Sequence, residues 1–319
     1  MPTRNSYLDW LREHCILCMN RRNAEFIAPY NARPNYCCVD EKLRTKELAR
    51  AAGVPYPETY GVVRYWRDID AVLRASFKRH EAFVVKPNRG AAGRGILIAQ
   101  RTDGQWHNTR DAALSYGDVR YHVTSILSGL YSLSELPDHA IIEQRILPHP
   151  LMRDLTWGGT PDLRIILFRT IPVMAMLRLP TRRSDGRANL HQGAVGLGVS
   201  IFDGITGSAV CRGRRIGRHP DTGARLDGLQ LPAWEMIIDM SRRLADRIPL
   251  GYIGIDIMLD AVLGPLVIEA NARPGLGIQV ANAVGLRPRL EFLRSELARG
   301  AAPVNLWHEL RARAARAEL

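Results

Sequence analysis

The sequence predicts an α+β fold. Apolar strand runs and amphipathic helical stretches are interleaved along the chain. Most strand runs fall in adjacent pairs that read as hairpins rather than as strand–helix–strand crossovers. A well-patterned helix over 232–248 (PAWEMIIDMSRRLADRI) is followed directly by two strands, 252–260 and 265–270, with a short turn between them.

The elements follow in order. Tyr7, Leu8, Leu11, Cys15, Ile16 and Met19 recur at helical spacing, so a helix is expected over 6–20, with Asn5 or Ser6 as its cap. Residues 28–38 (APYNARPNYCC) read as irregular. Asp40 then opens a second helix, EKLRTKELARAA, closed by Gly53 and Pro55. A short strand is expected over Thr59–Val63 and a helix over 67–79. Ala82–Lys86 is a strand, Pro87–Gly95 a glycine-rich loop, and Gly95–Ala99 the returning strand. A long helix over 110–130 precedes strands at 140–146, 163–169 and 172–179. Gly193–Ser200 is rich in glycine. Helices near 276–284 and 288–299 come before an Arg/Ala-rich end. No internal repeat is visible.

Composition bounds the function. The chain has 319 residues, 46% of them apolar and 24% charged, which excludes a wholly disordered polymer. At roughly 100–200 residues per domain, this is two domains or one unit with subdomains. No apolar run reaches the ~18 residues of a membrane span, and the most apolar stretch, 163–180, carries Arg164, Arg169 and Arg178. The first residues carry charges where a signal peptide would be apolar, so a cytoplasmic location is expected. The five cysteines cannot all pair internally, and Cys15 and Cys18 lack a second pair at zinc-ligand distance, so reduced packing thiols are expected. The net charge is +12, but the arginines are scattered and no basic arm is present, so nucleic acid is not the favoured partner. Arginine also suits a binder of phosphate or carboxylate.

Four constellations carry chemistry. In the hairpin GYIGIDIMLD…PLVIEAN, Glu269 and Asn271 share one strand face, because side chains alternate. A turn centred between Val262 and Leu263 places Asp256 opposite Glu269. Facing carboxylates repel, and each is embedded in an apolar run, where an unpaired charge is costly. A divalent cation would remove the conflict, since Asp, Glu and an amide oxygen are hard ligands of the kind Mg²⁺ takes. A core arginine pairing with a carboxylate is the alternative.

The second constellation is Val84-Val85-Lys86-Pro87-Asn88-Arg89-Gly90-Ala91-Ala92-Gly93-Arg94-Gly95-Ile96. Glycines with small neighbours let backbone N–H groups close around phosphate oxygens, and Lys86 brings a fixed charge to the same place. The lysine precedes the glycines and a strand follows, so this is neither a Walker loop nor a dinucleotide fingerprint. A plain flexible turn is the alternative. Third, Ile141-Ile142-Glu143-Gln144-Arg145-Ile146 ends in polar residues that could meet an adenine edge, or is an ordinary edge strand. Fourth, Arg164 and Arg178 on apolar strands need partners. Asp162, on the same face as Arg164, is one candidate, and a bound anion is the other. No GxSxG or comparable nucleophile signature is present.

Taken together and in this order, these elements resemble the ATP-grasp superfamily of carboxylate–amine ligases, and within it the RimK-type α-L-glutamate ligases. The likeness rests on DEKLRTKELARAAGVPYPETY (40–60), VVKPNRGAAGRGI (84–96), IIEQRI (141–146), DLR (162–164), ANLHQGA (188–194), GIDIML (254–259) and VIEANARPGLGIQVANAVG (267–285). It implies an ATP-grasp fold in which two α+β subdomains clasp ATP. It implies a helical N-terminal segment over 1–39, an ATP-grasp domain over 40–300 (a part with the glycine flap over 40–142, a Mg/ATP part over 143–300) and a basic tail over 301–319.

The resemblance also implies roles. Lys42 and Lys86 would hold ATP phosphates, Gly90, Gly93 and Gly95 would belong to the covering flap, and Glu143, Gln144 and Ile146 would line adenine. Asp256, Glu269 and Asn271 would bind Mg²⁺, two ions in number, with Mn²⁺ as a substitute. Arg164, Arg178 and Arg273 would stabilise phosphoryl and acyl-phosphate groups, with Asn189 a further member of the site. The implied reaction joins a carboxylate, glutamate or another amino-acid or peptide carboxylate, to an amine through an acyl phosphate. An ATP-grasp kinase is the competing enzyme class. Members of the RimK type carry a complete α/β domain ahead of the first lysine. Here about 40 residues precede Lys42, so a partner subunit or a second copy is expected to replace that domain.

Overall fold

A computed structural model describes residues 15–90, 93–132 and 136–316. The helix expected over 6–20 falls largely outside them. Where it is described, the expectation fails over Cys15–Cys18, which are not helical: the extended backbone at Cys18 starts a separate single α-helical turn, Met19–Arg22, that runs into a π-helical turn, Asn23–Ile27. The chain divides into two compact units: one of Asp40–Lys46 and Tyr56–Leu147, the other of the described residues up to Val39, Glu47–Pro55 and Pro148 onward.

The smaller unit is built on a five-stranded antiparallel sheet of β1 (Thr59–Val63), β2 (Ala82–Pro87), β3 (Leu97–Thr102), β4 (Gln105–His107) and β5 (Ala140–Glu143), ordered β1-β5-β2-β3-β4. Strand alternation divides its residues between two faces. Phe83, Val85, Ala140 and Ile142 point to one face and join Leu73, Val119, Val123 and Ile126 from the helices Ile69–Arg79 and Tyr116–Leu127 in a single apolar core. Ser115 and Asp118 close a reciprocal capping box at the start of the second helix, so this helix is shorter than the expected 110–130. Val84, Lys86, Ile141 and Glu143 therefore share the opposite face.

The larger unit is built on a seven-stranded antiparallel sheet. Its strands are β6 (Asp162–Phe168), β7 (Ile171–Leu179), β8 (Val195–Val199), β9 (Thr206–Cys211), β10 (Arg214–Ile216), β11 (Tyr252–Asp260) and β12 (Gly264–Asn271), ordered β10-β9-β8-β7-β6-β11-β12. Strands β6, β7 and β11 are almost wholly buried, which matches their near-continuous apolar sequence. The helix Trp234–Arg247 packs Ile237, Met240 and Leu244 onto them. The glycine-rich run at 193–200 is strand β8, where neighbours press on the backbone. A Cβ at Gly198 would lie 2.7 Å from the carbonyl oxygen of Ala281, so only glycine fits there. The basic end forms a helix, Pro303–Ala315, with Leu306, Trp307 and Leu310 buried. Cys18, Cys37 and Cys211 carry free thiols. No described helix is long and apolar enough to cross a membrane.

Candidate active site

In the smaller unit the lysines and the end of β5 converge. Val84 lies opposite Glu143 and Lys86 opposite Ile141, so Lys86 and Glu143 are diagonal neighbours on one face. Lys86 Nζ lies 2.5 Å from Glu143 Oε1, and Lys86 is only 3% exposed. Glu143 holds a second ammonium: Lys46 Nζ lies 2.6 Å from Oε2. Lys46 also donates to the carbonyl of Pro57 and the hydroxyl of Thr59, each at 2.8 Å.

Burial raises the Glu143 carboxyl, but the charges of Lys86 and Lys46 outweigh it and leave the group below the ordinary carboxylate range. Burial pushes the Lys46 ammonium down to about 8, with Glu143 opposing and Lys86 assisting. Lys46 was not singled out from the sequence. Its only signal was its place one helical turn after Lys42.

Lys42 has a different neighbour. Its Nζ donates to the carbonyl oxygen of Gly90 at 2.6 Å, which brings the first lysine to the mouth of the glycine loop. Asn88 ties the same helix down, since its side-chain oxygen accepts from the Leu43 N–H at 2.9 Å. The three loop glycines are needed for different reasons. A Cβ at Gly90 would meet the Pro87 ring at 2.2 Å, Gly93 has φ +71°, and Gly95 has φ +74° with Tyr131 at 2.5 Å from an added Cβ. Beyond β5 the chain is irregular. Gln144 donates its N–H to the Glu58 carbonyl at 2.8 Å, and half-buried Ile146 follows.

In the larger unit the expected carboxylate pairing is present: Asp256 lies opposite Glu269, with a bulge on its C-terminal side that shifts the register. The row continues across the sheet, because Asp256 also lies opposite Arg164, and Asp162 opposite Arg178. Arg164 therefore pairs with Asp256 across the strands rather than with Asp162 on its own strand. Nε and Nη2 reach Oδ1 and Oδ2 at 2.7 and 2.6 Å, a bidentate fork. Arg178 bridges both acids, with Nη2 2.8 Å from Asp256 Oδ2 and Nε on Asp162. The two arginines hold the Asp256 carboxyl well below its usual range although burial opposes them. Burial pushes the Asp162 carboxyl up to about 7 against the pull of Arg178.

The charges of this cluster do not balance. Asp162, Asp256 and Glu269 are three acids against two guanidinium groups. Among the described residues no basic side chain pairs with half-buried Glu269. The Asn271 amide fills the gap, donating to Asp256 Oδ2 and Glu269 Oε1 at 3.3 Å each. An electropositive group already lies where a cation would bridge the two acids, and a half-turn of the amide would present its oxygen instead. Glu269 and Asn271 thus fit a hard cation that keeps water and phosphate ligands, whereas Asp256 would share its oxygens with the arginines. Among the described residues no cluster of three or more His, Cys, Asp or Glu is placed to hold a metal, so the donors here are two carboxylates and the Asn271 amide.

Two expected residues make contacts of another kind. Arg273 follows β12 and places its guanidinium 5.4 Å from the centre of the Tyr36 ring. Asn189 builds a turn, its side-chain oxygen accepting from the His191 N–H at 3.0 Å.

A family profile described as sugar-transfer associated ATP-grasp matches residues 21–294, most of the chain and every constellation above. The chain belongs to this ATP-grasp family. The ATP-grasp chain is also 28% identical, over 78% of its length, to a probable alpha-L-glutamate ligase of Thioalkalivibrio sulfidiphilus, in line with the RimK likeness. It spans 61% of that relative's length. Among solved structures, a biotin carboxylase from Campylobacter jejuni in complex with β-γ-ATP superposes with a TM-score of 0.52 at 14% identity, covering 88% of this chain and 48% of that one. The ATP-grasp ligase PsnB with a minimal precursor gives a TM-score of 0.45 at 17% identity, covering 83% of this chain and 63% of that one. The α+β expectation is met: both sheets are antiparallel, with helices packed against them, in an ATP-grasp fold.

Proposed function

We propose that the chain is an ATP-dependent carboxylate–amine ligase that takes glutamate or another amino-acid or peptide carboxylate. The reading is carried by the charged row across β7, β6, β11 and β12: three acids against two arginines, with Asn271 bridging Asp256 and Glu269, all inside the family match. The curated relative's name supports glutamate ligation.

In this reading the substrate carboxylate takes the terminal phosphoryl group of ATP, and the amine then displaces phosphate from the acyl carbon. Lys42 and Lys86 hold phosphate oxygens, and Lys46 shares the counter-ion Glu143 with Lys86. Gly90, Gly93 and Gly95 let the loop backbone approach those phosphates. Gln144 and Ile146, just beyond β5, line the adenine. Glu269 and Asn271, with Asp256, hold Mg²⁺, two ions with Mn²⁺ as a substitute. When bound, the metal neutralises phosphate charge. Arg164 and Arg178 act one step back: they fix Asp256, while Asp162 holds Arg178. Arg273, with no carboxylate partner among the described residues, holds an anionic group of the substrate. Asn189 shapes the neighbouring turn. Catalysis is then mainly positioning and charge stabilisation.

The test is a screen of ADP release with Mg²⁺, pairing amino acids and small carboxylic acids with amines, followed by mass spectrometry of the product. An amide with free phosphate is expected. A stable phosphate ester would make the chain a kinase, and no ADP release with any pair would sink the ligase reading.

A further inference from the structure

The segment ahead of Lys42 converges on one residue. Asn31, almost fully buried, acts as a substitute strand residue: its Oδ1 accepts from the Tyr252 N–H at 2.9 Å. Its Nδ2 donates to the carbonyls of Tyr252 at 2.7 Å and Ala272 at 3.1 Å. It thereby ties the start of β11 to the residue before Arg273. Arg22, also buried, donates from Nη1 to the carbonyl of Pro274, the residue after Arg273, at 2.8 Å. Both peptide neighbours of Arg273 are thus gripped by side chains of the same segment. Tyr36, from this segment too, lays its ring against the Arg273 guanidinium.

The electrostatics point to an anion. Arg22 finds only the Pro274 carbonyl and the Asn23 side-chain oxygen, with no carboxylate among the described residues, and lies close enough to Arg273 for the two charges to repel. The Tyr252 hydroxyl, fully buried and near Arg22, has no partner among the described residues. A buried guanidinium without a counter-charge is costly. Tyr252 and Asp256 lie on the same face of β11, about 13 Å apart along the strand. Pro274 lies on the glycine between them: a Cβ at Gly254 would be 2.7 Å from the Pro274 Cβ. Beyond Pro274 the loop runs back toward the acidic cluster, where a Cβ at Gly275 would lie 4.0 Å from Arg164 Nη1.

We propose that Arg22, Asn31 and Tyr36 are positioning residues that set Arg273 as the holder of an oxyanion, a carboxylate or acyl phosphate, of the substrate. The proposal deepens the ligase reading and rests on it for the substrate's identity.

The first measurement needs no turnover. Arg273 is exposed, so phenylglyoxal modifies it, and mass spectrometry of its peptide reads the rate. Millimolar glutarate or acetyl phosphate should slow modification roughly tenfold. Protection by glutarate alone assigns a non-reacting carboxylate, and protection by acetyl phosphate alone assigns the activated acyl group. Tyr36→Leu and Asn31→Ala should abolish protection, and Tyr36→Phe, which keeps the ring, should retain it. Half-buried Tyr36 carries the test if Asn31→Ala does not fold. With an accepted acid, Tyr36→Leu should raise the KM for that acid roughly tenfold and leave the KM for ATP unchanged. No protection of the wild type by either anion, or equal protection in Tyr36→Leu, overturns the proposal. Protection without ADP release from any acid would instead overturn the ligase reading.

Discussion

Lys86 and Glu143 meet diagonally across β2 and β5, with Nζ 2.5 Å from Oε1 and both side chains almost fully buried. Glu143 is also the counter-ion of Lys46, so one carboxylate holds two ammonium groups. Glu143→Gln would leave two buried cations facing each other and should cost about 3–5 kcal/mol of stability, read from urea unfolding. ATP should raise the melting temperature of Glu143→Gln more than that of the wild type, because its phosphates would supply the missing charge. An equal rise in both would separate Glu143 from the phosphate site.

Lys46 makes stability depend on pH. Burial lowers its folded pKa to about 8 from 10.5, so between these values the unfolded chain binds more protons than the folded one. Stability from this group therefore rises with pH across that window, by at most about 1.4 kcal/mol per pH unit. Lys46→Met should lack this slope. Urea midpoints of the two proteins from neutral pH upward check it, and parallel curves would refute the assignment.

Glu269 is half-buried and outside the arginine pairs. Glu269→Ala should leave the melting temperature nearly unchanged while weakening the Mg²⁺ dependence of ADP release about 10- to 100-fold or more. Asp256→Asn should lower both, because it strips Arg164 and Arg178 of their shared partner. Similar melting losses for the two variants would contradict the charge distribution in the hairpin.

Arg178 bridges Asp162 and Asp256. Arg178→Met should cost about 3–5 kcal/mol by leaving buried Asp162 without its guanidinium and Asp256 with Arg164 alone. Adding Asp162→Asn should recover part of that loss, a non-additivity that a double-mutant cycle in urea measures directly. Strict additivity would mean that the three groups do not act as one network.

Local patterning was enough to place most elements. The hairpin register that sets Asp256 against Glu269 follows from alternation and turn length. The helix Trp234–Arg247 follows from its apolar stripe, and the strand–glycine loop–strand from composition. Strands β4 and β10 were not legible, because they are three-residue edge strands with few buried positions, and β9 was not because its small residues (TGSAVC) give no apolar alternation. Lys46 was equally hidden, since nothing local distinguishes a lysine that will be buried from one that stays in water.

The sequence by itself determined which strands carry charge and on which face each charge lies, because a period of two is a local property of the chain. Only the tertiary structure decided which charges meet. Arg164 is two residues from Asp162 yet holds Asp256, 92 positions away, because pairing follows the order of strands in the sheet and not their order in the chain. In the same way only folding brought Arg22, Asn31 and Tyr36 to Arg273: the free energy of satisfying buried donors and acceptors is settled between segments more than 200 residues apart.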